Sequence, residues 1–210
     1  MSAALRARPG RQSRARATRA RIIAAAARLF VRDGYLATTM SAIAAEAGVA
    51  VQSLYLRFGS KLAILSAALD VTIVGDDAPV PLLERPWVRA LAESPNGPQA
   101  VRLFLRQARQ IIGRVYPLYA VVQAAAASEA GALLADNKRQ RYEGVRTIAT
   151  LLSDKPGFAP NLSVDMAADL LYALVSEEHY GLLVVERGWS PEAWETWCAD
   201  TLSSLLFPAR

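Results

Sequence analysis

Apolar residues recur along this chain at helical spacing, and no run alternates convincingly as a half-buried strand would. The first clear stripe is Ile22, Ala26, Leu29 and Phe30, spaced i, i+4, i+7, i+8. Asp33-Gly34 predicts its end, because glycine takes the left-handed conformation that closes a helix. Thr39 predicts the cap of a second helix, which turns Ile43, Ala44 and Ala47 to one face and is cut at Gly48. After a three-residue turn, Val51, Leu54, Tyr55 and Phe58 predict a third helix. Gly59-Ser60 ends it, and Ser60 can cap a fourth that starts at Lys61.

From Leu62 onward the pattern stays helical. A Pro-rich connector, Ala78-Pro79-Val80-Pro81, follows Asp76-Asp77. A long helix is expected over Pro98–Val115, with Val101, Leu105, Ala108 and Ile112 inward, and Pro117 is expected to begin or kink the next one. Another is expected from about Ser128 to Ser153, closed by Pro156-Gly157 and Pro160. Ser163 predicts the cap of a helix from Val164 to about Arg187, ended by Gly188. Ser190-Pro191-Glu192 starts the last, with a cap, a first-turn proline and an acid at the positive dipole end. Its side Trp194, Trp197, Thr201 and Leu205, with Cys198, Leu202 and Leu206 beside it, is wider than one partner helix needs. That surplus suits a four-helix dimer interface.

Composition narrows the chemistry. Of 210 residues, 53% are hydrophobic and 20% charged, which supplies a packed core and excludes disorder along the whole chain. One cysteine, Cys198, and one histidine, His179, exclude an intrachain disulfide and a multi-cysteine zinc site, and point to a reducing cytosol. The apolar stretch Ile22–Val31 contains Arg28, and Tyr116–Ala127 is only 12 residues long, so neither crosses a bilayer. A cytoplasmic protein with no cofactor, no metal and no membrane partner is expected. The Arg-rich, acid-free start also resembles a transit peptide, but its arginines have another use.

The net charge of +5 hides an asymmetry. Met1–Lys61 carries 11 Lys or Arg against 2 acids, whereas the rest carries 13 against 17. A basic arm in front of a compact basic domain is an electrostatic footprint for a polyanion. A short helix, a glycine-containing turn and a second short helix make a helix-turn-helix. The third helix then presents Gln52, Ser53, Leu56, Arg57 and part of Tyr55 to base edges in a major groove. Gln can pair with adenine and Arg with guanine.

Residues Thr18–Leu65 resemble the N-terminal domain of the TetR (TetR/AcrR) family of transcriptional regulators. The likeness lies in Gly34-Tyr35, Thr38-Thr39, Ile43-Ala44, Ala47-Gly48-Val49, Leu54-Tyr55, Phe58 and Ser60-Lys61, in order and spacing. It implies an all-α chain: an N-terminal three-helix helix-turn-helix DNA-binding domain joined to a larger helical ligand-binding and dimerisation domain. The expected division is a basic flexible arm at 1–17, the DNA-binding domain at 18–62, and the effector and dimer domain at 63–210. By the resemblance, Thr39, Tyr55 and Lys61 hold phosphates, while Val51, Gln52, Ser53, Leu56 and Arg57 face the bases. Two departures stand out: Ala50 replaces a capping residue, and Gln52 a smaller one.

The resemblance also implies a homodimer that binds a double-stranded operator and is released by a small-molecule effector of unknown identity, without enzymatic activity. Arg11, Arg14, Arg16 and Arg19 are the arm residues expected on DNA, reaching an adjacent minor groove. Trp87, Phe104, Tyr142, Tyr172 and His179 are candidates for the effector pocket, with core packing the competing role of each. Arg102, Arg106 and Arg109 share a face, read as a solvated or salt-bridged stripe or as the lining for an anionic effector. Leu183, Val184, Trp194, Trp197, Thr201 and Leu205 are expected at the dimer interface. An activator or partner-controlled regulator is the alternative. A helical enzyme using His179 with Glu177 or Glu178 lacks a third catalytic group in the sequence.

Overall fold

The computed structural model describes residues 10–75 and 81–208, and among them no strand occurs. The chain divides into two compact units at Leu69/Asp70. The first contains α1 (Arg11–Asp33), α2 (Met40–Ala47), α3 (Val51–Phe58) and the start of α4 (Lys61–Val74). The second contains the last turn of α4, a 3-10 turn at Leu82–Glu84, α5 (Pro86–Ala92), α6 (Gly97–Ala124), α7 (Ala130–Ser153), α8 (Val164–Leu174), the short α9 (Glu177–Tyr180) running into a widened π turn at Gly181–Glu186, and α10 (Pro191–Leu206).

In the first unit, local signals fix the ends and one small core joins the pieces. Ile22, Ala26, Leu29 and Phe30 of α1 are buried, as are Ile43, Ala44 and Ala47 of α2, Leu54 of α3 and Ile64 and Leu65 of α4. Thr39 Oγ1 accepts from Ala42 N at 3.1 Å and Ser60 Oγ from Ala63 N at 3.1 Å, so both expected caps form. Gly48 sits at φ 63°, ψ 45°, the left-handed conformation that the turn between α2 and α3 requires. No side chain caps α3 at Ala50.

The structure differs from the sequence expectation at residues 11–17, which form the first turns of α1 rather than a flexible arm. No apolar stripe marks this stretch, but Arg, Gln and Ala are good helix formers, and Arg14 N bonds Gly10 O at 3.1 Å. Arg6 and Arg8 lie outside the described residues, as do residues 76–80 of the connector.

The second unit is built on α6, packed against α5, α7 and α10, with α8 lying on α7. Leu105, Ile112, Ile148, Leu152, Leu171, Trp194 and Leu202 lie in its core. Two helix expectations are corrected here. Pro117 neither begins nor ends a helix, because α6 runs through it to Ala124; its neighbours Val115, Leu118 and Tyr119 are buried and hold that turn by packing. The helix expected from Val164 to Arg187 breaks at Val175-Ser176. There Ser176 Oγ donates to Ala173 O at 3.2 Å and accepts from His179 N at 3.0 Å, ending one helix and capping the next.

Candidate nucleic-acid interface and ligand cavity

α3 is held by its inner residue and displays the rest. Leu54 is fully buried, whereas Gln52, Tyr55, Leu56 and Arg57 are exposed, Leu56 at 89%. Val51 and Ser53 are half-buried at the helix start. Arg14, Arg16 and Arg19 are exposed on α1, and Arg14 shares a shallow concavity with Arg57, Ala15 and Thr18. Arg11 starts α1, but its side chain lies outside the described residues. The Arg19 guanidinium lies 5.7 Å from the Phe58 ring centre, against the C-terminal turn of α3. Two expected phosphate ligands have internal roles. Thr39 spends its hydroxyl oxygen as a cap acceptor. Lys61 Nζ donates to Tyr35 O at 2.7 Å and Thr38 O at 3.0 Å, and sits 4.2 Å from the Tyr35 ring centre.

The second unit encloses a cavity of about 660 Å³. Its walls come from the last turn of α4 (Asp70, Ile73, Val74), the 3-10 turn, α5, α6, α7 and the α8–α9 junction. Of the candidate pocket residues, Trp87 and Phe104 line this cavity, together with Ile111, Ile112 and Ile148. Tyr142, Tyr172 and His179 do not. Tyr142 and Tyr172 pack edge to face at 5.5 Å, and Tyr172 backs the Arg141 guanidinium at 4.4 Å. His179 Nδ1 accepts from Trp194 Nε1 at 3.0 Å and its ring lies by Trp197, so it is a packed, hydrogen-bonded histidine. Burial lowers its pKa, only partly opposed by a backbone hydrogen bond at Leu174.

One wall of the cavity is polar, and sequence reasoning missed it. Arg141 on α7 pairs with Glu177, itself buried, and its NH1 also donates to Glu178 at 3.0 Å. Glu178 further accepts from Tyr119 at 2.6 Å and pairs with Lys138 at 2.8 Å. Burial pushes the Glu178 carboxyl up, but the Lys138 and Tyr119 hydrogen bonds and the Arg141 charge outweigh it and leave the group at about 2. The signal available was Asn137, Arg141, Val145 and Ile148 on one stripe of α7, a polar pair continuing an apolar face.

Two arginines of the Arg102, Arg106 and Arg109 stripe, Arg102 and Arg109, pair with α10. Arg102 pairs with Asp200 at 3.0 Å, and Arg109 with Glu192 at 2.9 Å and with Glu195. Among the residues expected at a dimer face, Trp194 is fully buried in the unit's own core, because it faces α6 and Tyr180. Leu183 and Val184 are half-buried against that core, and Thr201 is half-buried. The exposed apolar residues are instead Trp197 and Leu205 of α10 with Leu182, Val185 and Trp189, at 36–55%. Trp189 and Trp197 meet edge to face at 6.2 Å. Cys198 is fully buried, and burial raises its thiol to about 12. Among the described residues there is no cluster of metal-ligating side chains, and no helix long and apolar enough to cross a membrane.

Among the described residues these features define a helical chain with a helix-turn-helix unit and a separate cavity-bearing unit. The family described as bacterial regulatory proteins, tetR family, matches residues 22–68, the span of the helix-turn-helix unit. No curated protein matches the sequence. Solved structures share the fold over nearly the whole chain. The transcriptional regulator FadR from Bacillus subtilis, in complex with stearoyl-CoA, aligns at TM-score 0.69 and 18% identity, over 89% of this chain and 98% of its own. NalD, the secondary repressor of the MexAB-OprM multidrug efflux pump in Pseudomonas aeruginosa, aligns at 0.68 and 16%, over 94% and 99%. The ketosteroid transcriptional regulator KstR2 of Mycobacterium tuberculosis aligns at 0.57 and 18%, over 90% and 94%.

Proposed function

We propose that the protein binds a palindromic operator as a homodimer and represses transcription until a small-molecule effector occupies the cavity of its second unit. The cavity carries this reading. Its volume of about 660 Å³ suits a small organic ligand, and the last turn of α4 forms part of its wall. Arg114 holds that turn, donating to Thr72 O at 3.4 Å and Ile73 O at 3.3 Å. The same helix starts three residues after the recognition helix ends. A ligand that prefers one position of the α4 turn therefore biases the recognition helix, and ~1–3 kcal/mol of coupling changes DNA affinity 5–150-fold.

The exposed apolar strip from Leu182 to Leu205 supports the dimer, since a regulator left as a monomer would present it to water. A twofold axis would set two copies of α3 in successive major grooves, roughly 34–36 Å apart. Gln52 and Arg57 are the residues assigned to base edges, each worth ~1–3 kcal/mol of discrimination. Arg14, Arg16 and Arg19 are assigned to phosphates or to the adjacent minor groove.

The test is selection of binding sites from random duplex DNA, followed by affinity against salt on the enriched site. The expected result is a palindrome with a steep salt slope, whose selectivity falls with Arg57→Ala or Gln52→Ala. Weak, uniform binding with no enriched sequence would sink the operator reading.

A further inference from the structure

The side chain that α3 turns furthest from its core is a leucine. Leu56 is 89% exposed, more than any other large apolar side chain among the described residues. Leu54, two positions earlier, is fully buried. At about 100° per residue, that spacing turns Leu56 roughly 200° away from the core. Gln52, one turn before Leu56, is exposed on the same outward face. A single exposed leucine is ordinary on a protein surface. This one stands among cations: Arg57 follows it, Arg14 shares a concavity with Arg57, and Arg19 lies against Phe58. Its setting therefore matches a polyanion, and the apolar group it seeks has to belong to one.

The chemistry of the major groove says which group that is. Adenine, guanine and cytosine present hydrogen-bond donors and acceptors there, and thymine adds an apolar 5-methyl group. Against the polar edges, Leu56 would strip water from atoms that it cannot pair. Against the methyl, two apolar groups leave water together. Leu56 lies about 6 Å along α3 from Gln52, or about two base-pair steps of ~3.4 Å. The methyl it meets belongs within about two base pairs of the adenine that suits Gln52.

We propose that Leu56 is a specificity-determining residue that reads the 5-methyl group of one thymine in each operator half-site. The proposal rests on the operator reading above. The full chain is titrated onto the enriched duplex, and onto duplexes in which each thymine of one half-site is replaced in turn by deoxyuridine. Uracil keeps the pairing and the O4 acceptor and lacks only the methyl. The same series is run with Leu56→Ala, with melting temperature and salt dependence measured alongside.

The expected result is one thymine per half-site whose replacement by uracil weakens binding about four-fold, the worth of one buried methyl. Leu56→Ala should weaken the thymine duplex at least as much and bind the thymine and uracil duplexes alike. Its melting temperature should not fall, because the side chain is exposed and alanine favours a helix. Its salt exponent should match the wild type, because no charge is lost. A half-site without thymine overturns the proposal. So does indifference of the wild type to uracil at every position, or a preference for thymine that survives Leu56→Ala. Each of those results, obtained on an enriched palindrome, refutes the role of Leu56 and leaves the operator reading standing. No enriched sequence refutes both.

Discussion

Replacing Lys61 by Met separates two roles that the same residue could play. In the structure its ammonium ties the start of α4 to the loop before α2, through the carbonyls of Tyr35 and Thr38 and the face of the Tyr35 ring. Hydrogen bonds to a charged group contribute ~1.5–3 kcal/mol where well buried, and a half-exposed cation–π contact ~0.5–1 kcal/mol. Lys61 is half-buried, so water can replace part of what is lost, and Met keeps the aliphatic stem. The net cost is about 2 kcal/mol for the first unit. Units of this size shift by roughly 4–8 °C per kcal/mol, so its unfolding should move down by roughly 8–16 °C. The assay is helical circular dichroism against temperature, with operator affinity measured at several salt concentrations well below the transition. A structural lysine predicts a lower transition and an unchanged salt exponent. An unchanged transition with an exponent smaller by about 0.9 would mean that Lys61 spends its charge on a phosphate, refuting the argument.

Three further outcomes follow from burial and charge. Leu54→Ala removes the only fully buried side chain of α3 and should cost ~2–5 kcal/mol, seen as loss of the first unit's transition while the second unit's helices persist; a smaller loss would mean α3 is anchored elsewhere. Glu178 is held at about 2 against an ordinary 4.5, so its contribution is complete above pH 4.5 and is lost as pH falls toward 2. That displacement corresponds to about 3 kcal/mol, reduced to roughly 1–2 by solvent screening of a side chain 34% exposed. Glu178→Gln should lower neutral-pH stability by that amount and flatten the acid limb, and parallel acid limbs would exclude the cluster as its source. Cys198, with its thiol raised to about 12, should resist a thiol reagent at pH 8 until the protein is unfolded; rapid native labelling would refute its burial.

The first unit was legible in the sequence because its signals are local. A hydroxyl three residues before a free N–H, or a glycine at a left-handed turn, acts within one helical turn, so Thr39, Gly48 and Ser60 could be placed without knowing the fold. The second unit resisted for the opposite reason. A stripe such as Trp194, Trp197, Thr201 and Leu205 states that a face is apolar but not what covers it. Trp194 went to the core with Tyr180, and Trp197 and Leu205 to the surface, because α10 turns them to different sides of the same wide face. The break at Val175-Ser176 was invisible for a related reason, since the apolar period runs straight through it. Ser176 makes the break by bonding Ala173 O and His179 N, and just beyond it Glu177 pairs with Arg141, 36 residues away. That break is what brings Val175 and Glu177 to the cavity wall, opposite residues of α4 and α6. A continuous helix would hold the 3.6-residue register that Ser176 interrupts, and so would change which side chains meet the cavity. The polar wall and the irregular helix thus meet at Glu177, which follows the Ser176 cap and pairs with Arg141.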